Sequence, residues 1–199
     1  MLESLWEIWT GHGRTMTEEQ WKLPTRLGDW NVRSLYAHVA AWPHGLAAVA
    51  GQVRAAEPTH PRAADLLRQF NTPGGVADSG RERVAANARS DADRYSTDQM
   101  IESFSGTGQR ALATARGLGP VVVDYFGLGL LPIDEVISIG VVESTVHLLD
   151  LRRALGLPVD LPAEALEHTA AVLAQMAPPV AFIEAATGRG SADLFPVLS

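Results

Sequence analysis

Three ionisable residues share one face of a predicted helix in the segment VVESTVHLLDLRRALG, residues 141–156: Glu143, His147 and Asp150. A helix turns by about 100° per residue, so their side chains span only about 60° around the axis. The other residues of this face are small or apolar: Val136, Ile139, Gly140, Val146 and Ala154. The face should therefore point into the protein, where an unpaired carboxylate costs roughly several kcal/mol. Something must compensate the charge of Glu143.

A divalent cation would neutralise that carboxylate, and His38 is the candidate third ligand. It lies in the segment WNVRSLYAHVAAW, whose helical face around His38 is also largely apolar. His38, Glu143 and His147 together offer two imidazoles and one carboxylate from two helices. Such a set leaves coordination positions open, as catalytic metal sites require. Spacing alone is weak support, because Glu164 and His168 repeat the same arrangement without apolar flanks.

Two further residues each have two alternative roles, one beside this predicted site and one that is purely structural. Asp150 would accept the second N–H of His147 and so orient its ring, or it is a polar residue near the end of a helix. Trp42, one turn beyond His38, would line the pocket or pack in the core. The histidines outside these segments are expected at the surface: His12, His44 and His60.

The elements that must position these residues are helical, and we predict an all-α protein without a convincing set of strands. Asn31 is a good N-cap for the helix of His38, which Pro43 should end or kink. Asp134 is predicted to cap the helix of Glu143. The residues expected on the solvent side of that helix are Ser138, Thr145 and Arg152. The predicted capping boxes are Thr17 with Gln20 and Ser96 with Gln99.

Between the helices, residues 57–80 are rich in proline and glycine and are predicted to form a long crossover connection. One short helix is expected within it, at Ala63–Phe70, and helical character resumes at Arg81. Val121–Val123 should be extended. Four helices are long enough for an antiparallel bundle, with extra short helices around it. We expect a single domain over residues 1–199, with a C-terminal helix and tail (161–199) packed on a bundle formed by 1–160.

The composition of the chain excludes several classes of partner and of chemical site. The chain of 199 residues has 46% hydrophobic and 20% charged residues, so it can bury a core. Its net charge of -7 argues against a nucleic-acid or anionic-membrane partner. There is no cysteine, which excludes disulfides, cysteine-ligated metals and a cysteine nucleophile. Neither a signal peptide nor an apolar run of about 18 residues is visible, so a cytoplasmic location is expected.

Two segments resemble the signatures of a known family. LPTRLGDWNVRSLYAHVAAW and ESTVHLLDLRRALGLP are similar to those of the mycothiol-dependent maleylpyruvate isomerase N-terminal domains, which are DinB-like metal-binding four-helix bundles. The resemblance implies that His38, Glu143 and His147 are metal ligands and that Asp150 is the aspartate that follows them in the family. It implies zinc as the metal, with iron or nickel as alternatives. It also implies mycothiol, an actinobacterial thiol, as co-substrate.

Three functions remain open at this stage. The first is a transferase or isomerase that adds a metal-activated thiol to a small electrophile, which suits a chain without its own thiol. The second is a metal-dependent hydrolase or a non-haem iron enzyme built on the same three ligands. The third is a bundle that binds a metal or ligand without turnover. A homodimer is conceivable for each, and the electrophile is not specified by any motif.

Overall fold

The computed structural model describes residues 1–72, 74–190, 196 and 197. Most of them are helical, as predicted. The helices are α1 (Leu2–Thr15), α2 (Glu18–Trp21), α3 (Val32–Ala40), α4 (Trp42–Ala50), α5 (Ala63–Phe70), α6 (Val76–Arg94), α7 (Thr97–Glu102), α8 (Gln109–Leu118), α9 (Ile133–Ala154), α10 (Ala163–Met176) and α11 (Pro179–Ala186), with a π-helical segment at Ser103–Gly108 between α7 and α8. The strands are β1 (Val53–Arg54), β2 (Val122–Asp124) and β3 (Leu130–Pro132).

These strands form a small antiparallel sheet in the order β1-β2-β3, so the prediction of no strand set is wrong. Val53 pairs with Val123, and Val123 pairs with Leu131. Val123 and Leu131 are fully buried, so packing against the helices provides the stability that such short strands lack on their own. The predicted extended piece at Val121–Val123 corresponds to β2, shifted by one residue.

The core forms where α1, α3 and α9 meet, and it is rich in aromatic rings. Trp6 and Trp9 of α1 are fully buried. Trp9 stacks on Phe104 at 5.7 Å between ring centroids and meets Tyr36 edge to face at 5.3 Å. One continuous hydrophobic cluster extends from Leu2 in α1 to Met176 at the end of α10. The helix that carries His38 and the helix that carries Glu143 therefore share a core.

Local signals place the ends of α3 correctly. The Asn31 side chain accepts a hydrogen bond from the main-chain N–H of Ser34 at 2.9 Å, which caps the helix as predicted. The helix stops at Ala40, and α4 begins at Trp42 with Pro43 in its first turn. Both predicted capping boxes are also present: Thr17 with Gln20, and Ser96 with Gln99.

The start of α9 differs from its prediction. Asp134 is not the N-cap, because the helix begins at Ile133, directly after Pro132 of β3, without a capping side chain. The Asp134 carboxylate instead accepts the main-chain N–H of Glu135 at 3.1 Å. The sheet thus leads straight into α9 and sets its direction.

The predicted solvent side of α9 is also wrong at two positions. Ser138 and Thr145 are buried, because α10 packs along this side of the helix. His168 of α10 contacts Ser138, with 2.8 Å between Nε2 and Oγ. Arg152 remains partly exposed, near the helix end. Other helices therefore cover α9 on two opposite sides.

The long connection contains its predicted helix, α5, with the expected bounds. The Glu135 carboxylate accepts the N–H of Ala63 at 2.6 Å and so ties α5 to the first turn of α9. α6 begins at Val76, before the predicted Arg81, so helical structure extends further into the connection. Among the described residues, no helix is long and apolar enough to cross a membrane.

Close packing of α1 against Tyr36 leads to a test of this core. A Cβ at Gly13 would lie 2.3 Å from the Tyr36 hydroxyl oxygen and 2.7 Å from Ile101, whereas a Cβ at Gly11 would meet nothing within 4 Å. We expect Gly13→Ala to lower the free energy of unfolding by about 1–3 kcal/mol through overpacking. Gly11→Ala, in the same helix, should raise it by up to about 1 kcal/mol. Urea denaturation measures both, and equal effects would contradict this packing.

Candidate metal centre

His38, Glu143 and His147 come together where α3 crosses α9. One ligand atom from each residue lies within 4.8 Å of the others. The Glu143 carboxylate oxygen Oε2 is 3.6 Å from Nε2 of His147 and 4.0 Å from Nε2 of His38. The two imidazole rings meet edge to face, with 5.2 Å between centroids. His38 precedes Glu143 by 105 positions in the sequence, so the tertiary fold brings His38 to the Glu143–His147 pair.

The donor set fits a divalent metal ion. Zinc binds nitrogen and oxygen ligands at about 2.0–2.2 Å, which puts neighbouring ligands about 3–3.5 Å apart. The separations of 3.6 and 4.0 Å are slightly longer than this, so a small inward movement would bring the atoms to binding distance. Two histidines and one carboxylate also suit iron. The cluster can therefore hold a metal, and its geometry does not select one.

Asp150 lies behind His147, on the side away from Glu143. Its Oδ2 is 3.1 Å from Nδ1 of His147, and its Oδ1 accepts a hydrogen bond from Nε of Arg26 at 2.5 Å. The Asp150 side chain is only 2% exposed. With Nδ1 held by Asp150, the His147 ring presents Nε2 to the cluster, which is the arrangement of orienting carboxylates behind metal-binding histidines. The contact between Asp150 and His147 is the one that the orienting alternative requires, and that role of Asp150 stays a prediction.

Two tryptophans surround the cluster. Trp42 lies close enough to the Glu143 carboxylate to lower its pKa, and the same side chain packs against the core. Trp30 contacts the His38 ring edge to face at 5.1 Å between centroids. Aromatic side chains thus lie against both the His38 imidazole and the Glu143 carboxylate.

Burial keeps the His38 imidazole neutral. Loss of solvent, followed by the charge of the nearby His147, lowers the pKa of His38 to about 4 against the opposing effect of Glu143. At neutral pH the His38 ring therefore carries a free lone pair on one nitrogen. A metal can bind this ring without first displacing a proton.

Glu143 and His147 form a coupled pair of charges. Burial alone would raise the pKa of Glu143, but the close contact with His147 and the charges of both histidines lower it overall. Burial likewise opposes protonation of His147, yet its hydrogen bond to Asp150 and its contact with the Glu143 carboxylate raise its pKa to about 9. The carboxylate is thus ionised and attracts a positive charge. In the absence of a metal, the proton on His147 provides it.

The remaining histidines do not join this cluster. His12 lies in the last turn of α1, and burial followed by the charge of Arg152 lowers its pKa. His44 is exposed and lies 3.0 Å from the Ser103 hydroxyl through Nε2. His60 is partly buried against Gln69, and His168 contacts Ser138. His44 is thus exposed as expected, whereas His12 and His60 are only partly exposed.

Sequence reasoning missed two residues around the cluster: Arg26, and Trp30 as a neighbour of His38. Arg26 is separated from Asp150 by 124 residues, and no local pattern links them. Only the segment LPTRLGDW, which precedes α3, offered a signal for both.

Comparisons with known proteins agree with this geometry. A family model described as "Mycothiol maleylpyruvate isomerase N-terminal domain" matches residues 2–152, which include the three clustered residues and Asp150. Searches among curated proteins and among solved structures found no match.

Proposed function

Because the chain belongs to the mycothiol maleylpyruvate isomerase N-terminal domain family, we propose that it is a metal-dependent enzyme that uses mycothiol against a small electrophile. The thiol would remain on the product in a transferase and leave again in an isomerase. His38, Glu143 and His147 would hold the metal, which we propose is zinc. Asp150 would orient His147.

The observation that carries this proposal is the convergence of two imidazoles and one ionised carboxylate at a site that stays open. The side chains of His38, Glu143 and His147 are 24%, 21% and 15% exposed, so a small molecule can reach them. A divalent cation bound there would act as a Lewis acid and keep a coordinated thiol as thiolate near neutral pH. The chain lacks cysteine, so any thiol must come from outside.

Charge balance at the site also favours an anionic thiolate. Asp150 is paired with Arg26, so Glu143 is the one cluster ligand that contributes a net negative charge. A dication held by this set keeps about one unit of positive charge, because both histidines would be neutral. An incoming thiolate would neutralise it.

The wider fold assignment belongs to the same proposal. We propose that residues 1–160 form a DinB-like four-helix bundle and that residues 161–199 belong to the same domain. Residues of α10 and of the turn before it lie in the common hydrophobic cluster, which supports this view: Leu161, Ala165, Val172 and Met176.

The test is thiol-dependent turnover of a fluorogenic probe. Mycothiol displaces chloride from monochlorobimane, and we expect zinc-loaded protein to accelerate this at least about tenfold over the same mixture treated with a chelator. Elemental analysis and a visible spectrum identify the metal. Electrophile consumption that persists without thiol would indicate a hydrolase, and an iron spectrum would indicate a non-haem iron enzyme. Bound metal without turnover of any electrophile would indicate a structural or ligand-binding role.

A further inference from the structure

Trp30 lies in the loop of residues 22–31, which connects α2 to α3, and its ring contacts the His38 imidazole. The two rings meet edge to face, at 5.1 Å between centroids and 61° between planes. The His38 ring also meets that of His147 edge to face, at 5.2 Å and 89°. Aromatic rings prefer such arrangements because the positive edge of one faces the negative face of the other. Two ring contacts therefore restrict how the His38 imidazole can turn.

The two histidines are held by different kinds of contact. Nδ1 of His147 has the Asp150 carboxylate at 3.1 Å as a hydrogen-bond partner. His38 has no hydrogen-bond partner within the part of the chain that the structure describes, and Oε2 of Glu143 is 4.0 Å from its Nε2. Metal-binding histidines commonly depend on a partner at the second ring nitrogen for their orientation. For His38, the ring of Trp30 is the contact that can serve this purpose.

Hydrogen bonds within the loop fix the position of Trp30. Its carbonyl oxygen accepts from the main-chain N–H and from the side-chain hydroxyl of Thr25, at 2.9 and 2.8 Å. Its N–H donates to the Leu27 carbonyl at 3.2 Å and closes a turn. Gly28, inside this turn, has a φ of +62°, a conformation that favours glycine. Trp30 is only 8% exposed, so its main chain and its ring are both held.

The same loop supports His147. Nε of Arg26 donates to Asp150 at 2.5 Å, and Asp150 in turn contacts His147. His147 belongs to α9 and His38 to α3, so one loop reaches a candidate ligand on each helix. Because Arg26 and Trp30 share this short loop, a displacement of the loop would disturb both supports.

We propose that this loop is the positioning element of the candidate metal centre, with Trp30 positioning His38 and Arg26 positioning His147 through Asp150. The inference rests on the metal centre of the proposed function, and it requires no turnover. Neither Trp30 nor Arg26 would touch the metal. They would keep the two imidazoles directed at one point before an ion arrives, which raises affinity because less ordering remains to be done on binding.

The test measures zinc affinity and the visible spectrum of cobalt-loaded, full-length protein. We expect Trp30→Leu to weaken zinc binding at least about tenfold, as for the loss of other residues that orient a metal ligand. The cobalt absorption bands should also change in position and intensity, because they depend on ligand geometry. Trp30→Phe keeps an aromatic ring beside His38, so it should restore the cobalt spectrum and bring zinc affinity to within about threefold of the unaltered protein.

Trp21 provides the matched control. It is 3% exposed, and its ring meets Tyr36 of α3 edge to face at 5.0 Å, as Trp30 meets His38. The Arg33 guanidinium lies over the same ring at 5.8 Å, and neither partner belongs to the cluster. Trp21→Leu should lower Tm at least as much as Trp30→Leu, because a more deeply buried ring is lost, but it should leave zinc affinity within about twofold.

A double variant tests the two supports together. Arg26→Ala combined with Trp30→Leu should weaken zinc binding more than either change alone, because the two contacts hold different histidines. A double variant that binds zinc as well as Trp30→Leu does would show that the loop does not serve both histidines.

The outcomes distinguish this inference from the proposed function. Unaltered protein that takes up neither zinc nor cobalt would contradict both. Metal binding as expected here, without thiol-dependent turnover, would support this inference and contradict the proposed activity. Three results would overturn the role of Trp30 alone: unchanged zinc affinity and cobalt spectrum in Trp30→Leu, equal losses in Trp30→Leu and Trp30→Phe, or equal losses of zinc affinity in Trp30→Leu and Trp21→Leu.

Discussion

Replacing His147 with alanine is expected to weaken zinc binding by at least about 100-fold, more than the 10–100-fold typical of residues behind the ligands. His147 faces Glu143 through Nε2 at 3.6 Å and is positioned by Asp150, so its loss removes one ligand and the orientation of the site together. Isothermal titration against a zinc buffer measures the affinity. Thermal unfolding with and without zinc provides a second reading, since a ligand that binds the folded state raises Tm.

The chain supplies a matched control for this experiment. Glu164 and His168 repeat the Glu-x-x-x-His spacing, but no metal-binding group of described residues includes them. His168→Ala should therefore leave zinc affinity within about twofold, although it loses the contact to Ser138 and some stability. If both variants bind zinc as well as the unaltered protein does, the candidate metal centre is wrong. If both lose zinc, the effect comes from a general loss of structure.

Asp150→Ala is expected to have the second largest effect, because it acts on metal binding and on stability. The carboxylate is 2% exposed and serves both His147 and Arg26. Without it, the His147 ring loses its orienting acceptor, and we expect zinc affinity to fall by about 10–100-fold. The free energy of unfolding should fall by about 1–3 kcal/mol, less than for a fully buried ion pair, because the Arg26 side chain is 53% exposed and can be solvated.

Two further variants test this prediction more closely: Arg26→Ala, and the double variant that combines it with Asp150→Ala. Arg26 contacts Asp150 and not the metal ligands, so Arg26→Ala alone should weaken zinc binding less than Asp150→Ala does. The double variant should be scarcely worse than Asp150→Ala, because both changes disrupt one chain of contacts and their effects are not additive. Asp150→Asn keeps the size of the side chain and removes its charge, so it separates packing from electrostatics. Unchanged zinc affinity in Asp150→Ala would show that His147 needs no orienting carboxylate.

The features that local sequence determines were predicted well. Asn31 caps α3, Pro43 separates α3 from α4, and α5 has its expected bounds. The pairing of Glu143 with His147 follows from one helical turn in the same way. Each of these depends on hydrogen bonds or side-chain spacing within a few residues, so the energy that decides them is encoded in a short stretch.

Other features depend on residues that are distant in the chain. Ser138 and Thr145 were expected to face solvent, but α10 covers them, and helical periodicity cannot reveal a second helix on the polar side. The hairpin of β2 and β3 forms because Val123 and Leu131 are buried between helices, not because these short segments have a strong strand pattern. The hairpin also decides where α9 starts. The sequence predicted Asp134 as its cap, but the helix begins at Ile133 because β3 leads directly into it.

Sequence by itself determined most of the helices, the ends of α3 and α5, and the pairing of Glu143 with His147, because these are set by interactions within a few residues. It also suggested His38, through apolar surroundings and family resemblance. Only the tertiary structure brought His38 to Glu143 and joined Arg26 to Asp150. Such contacts form when the whole chain buries its apolar surface at once. The free energy of that burial is summed over the whole chain, so no single segment encodes it.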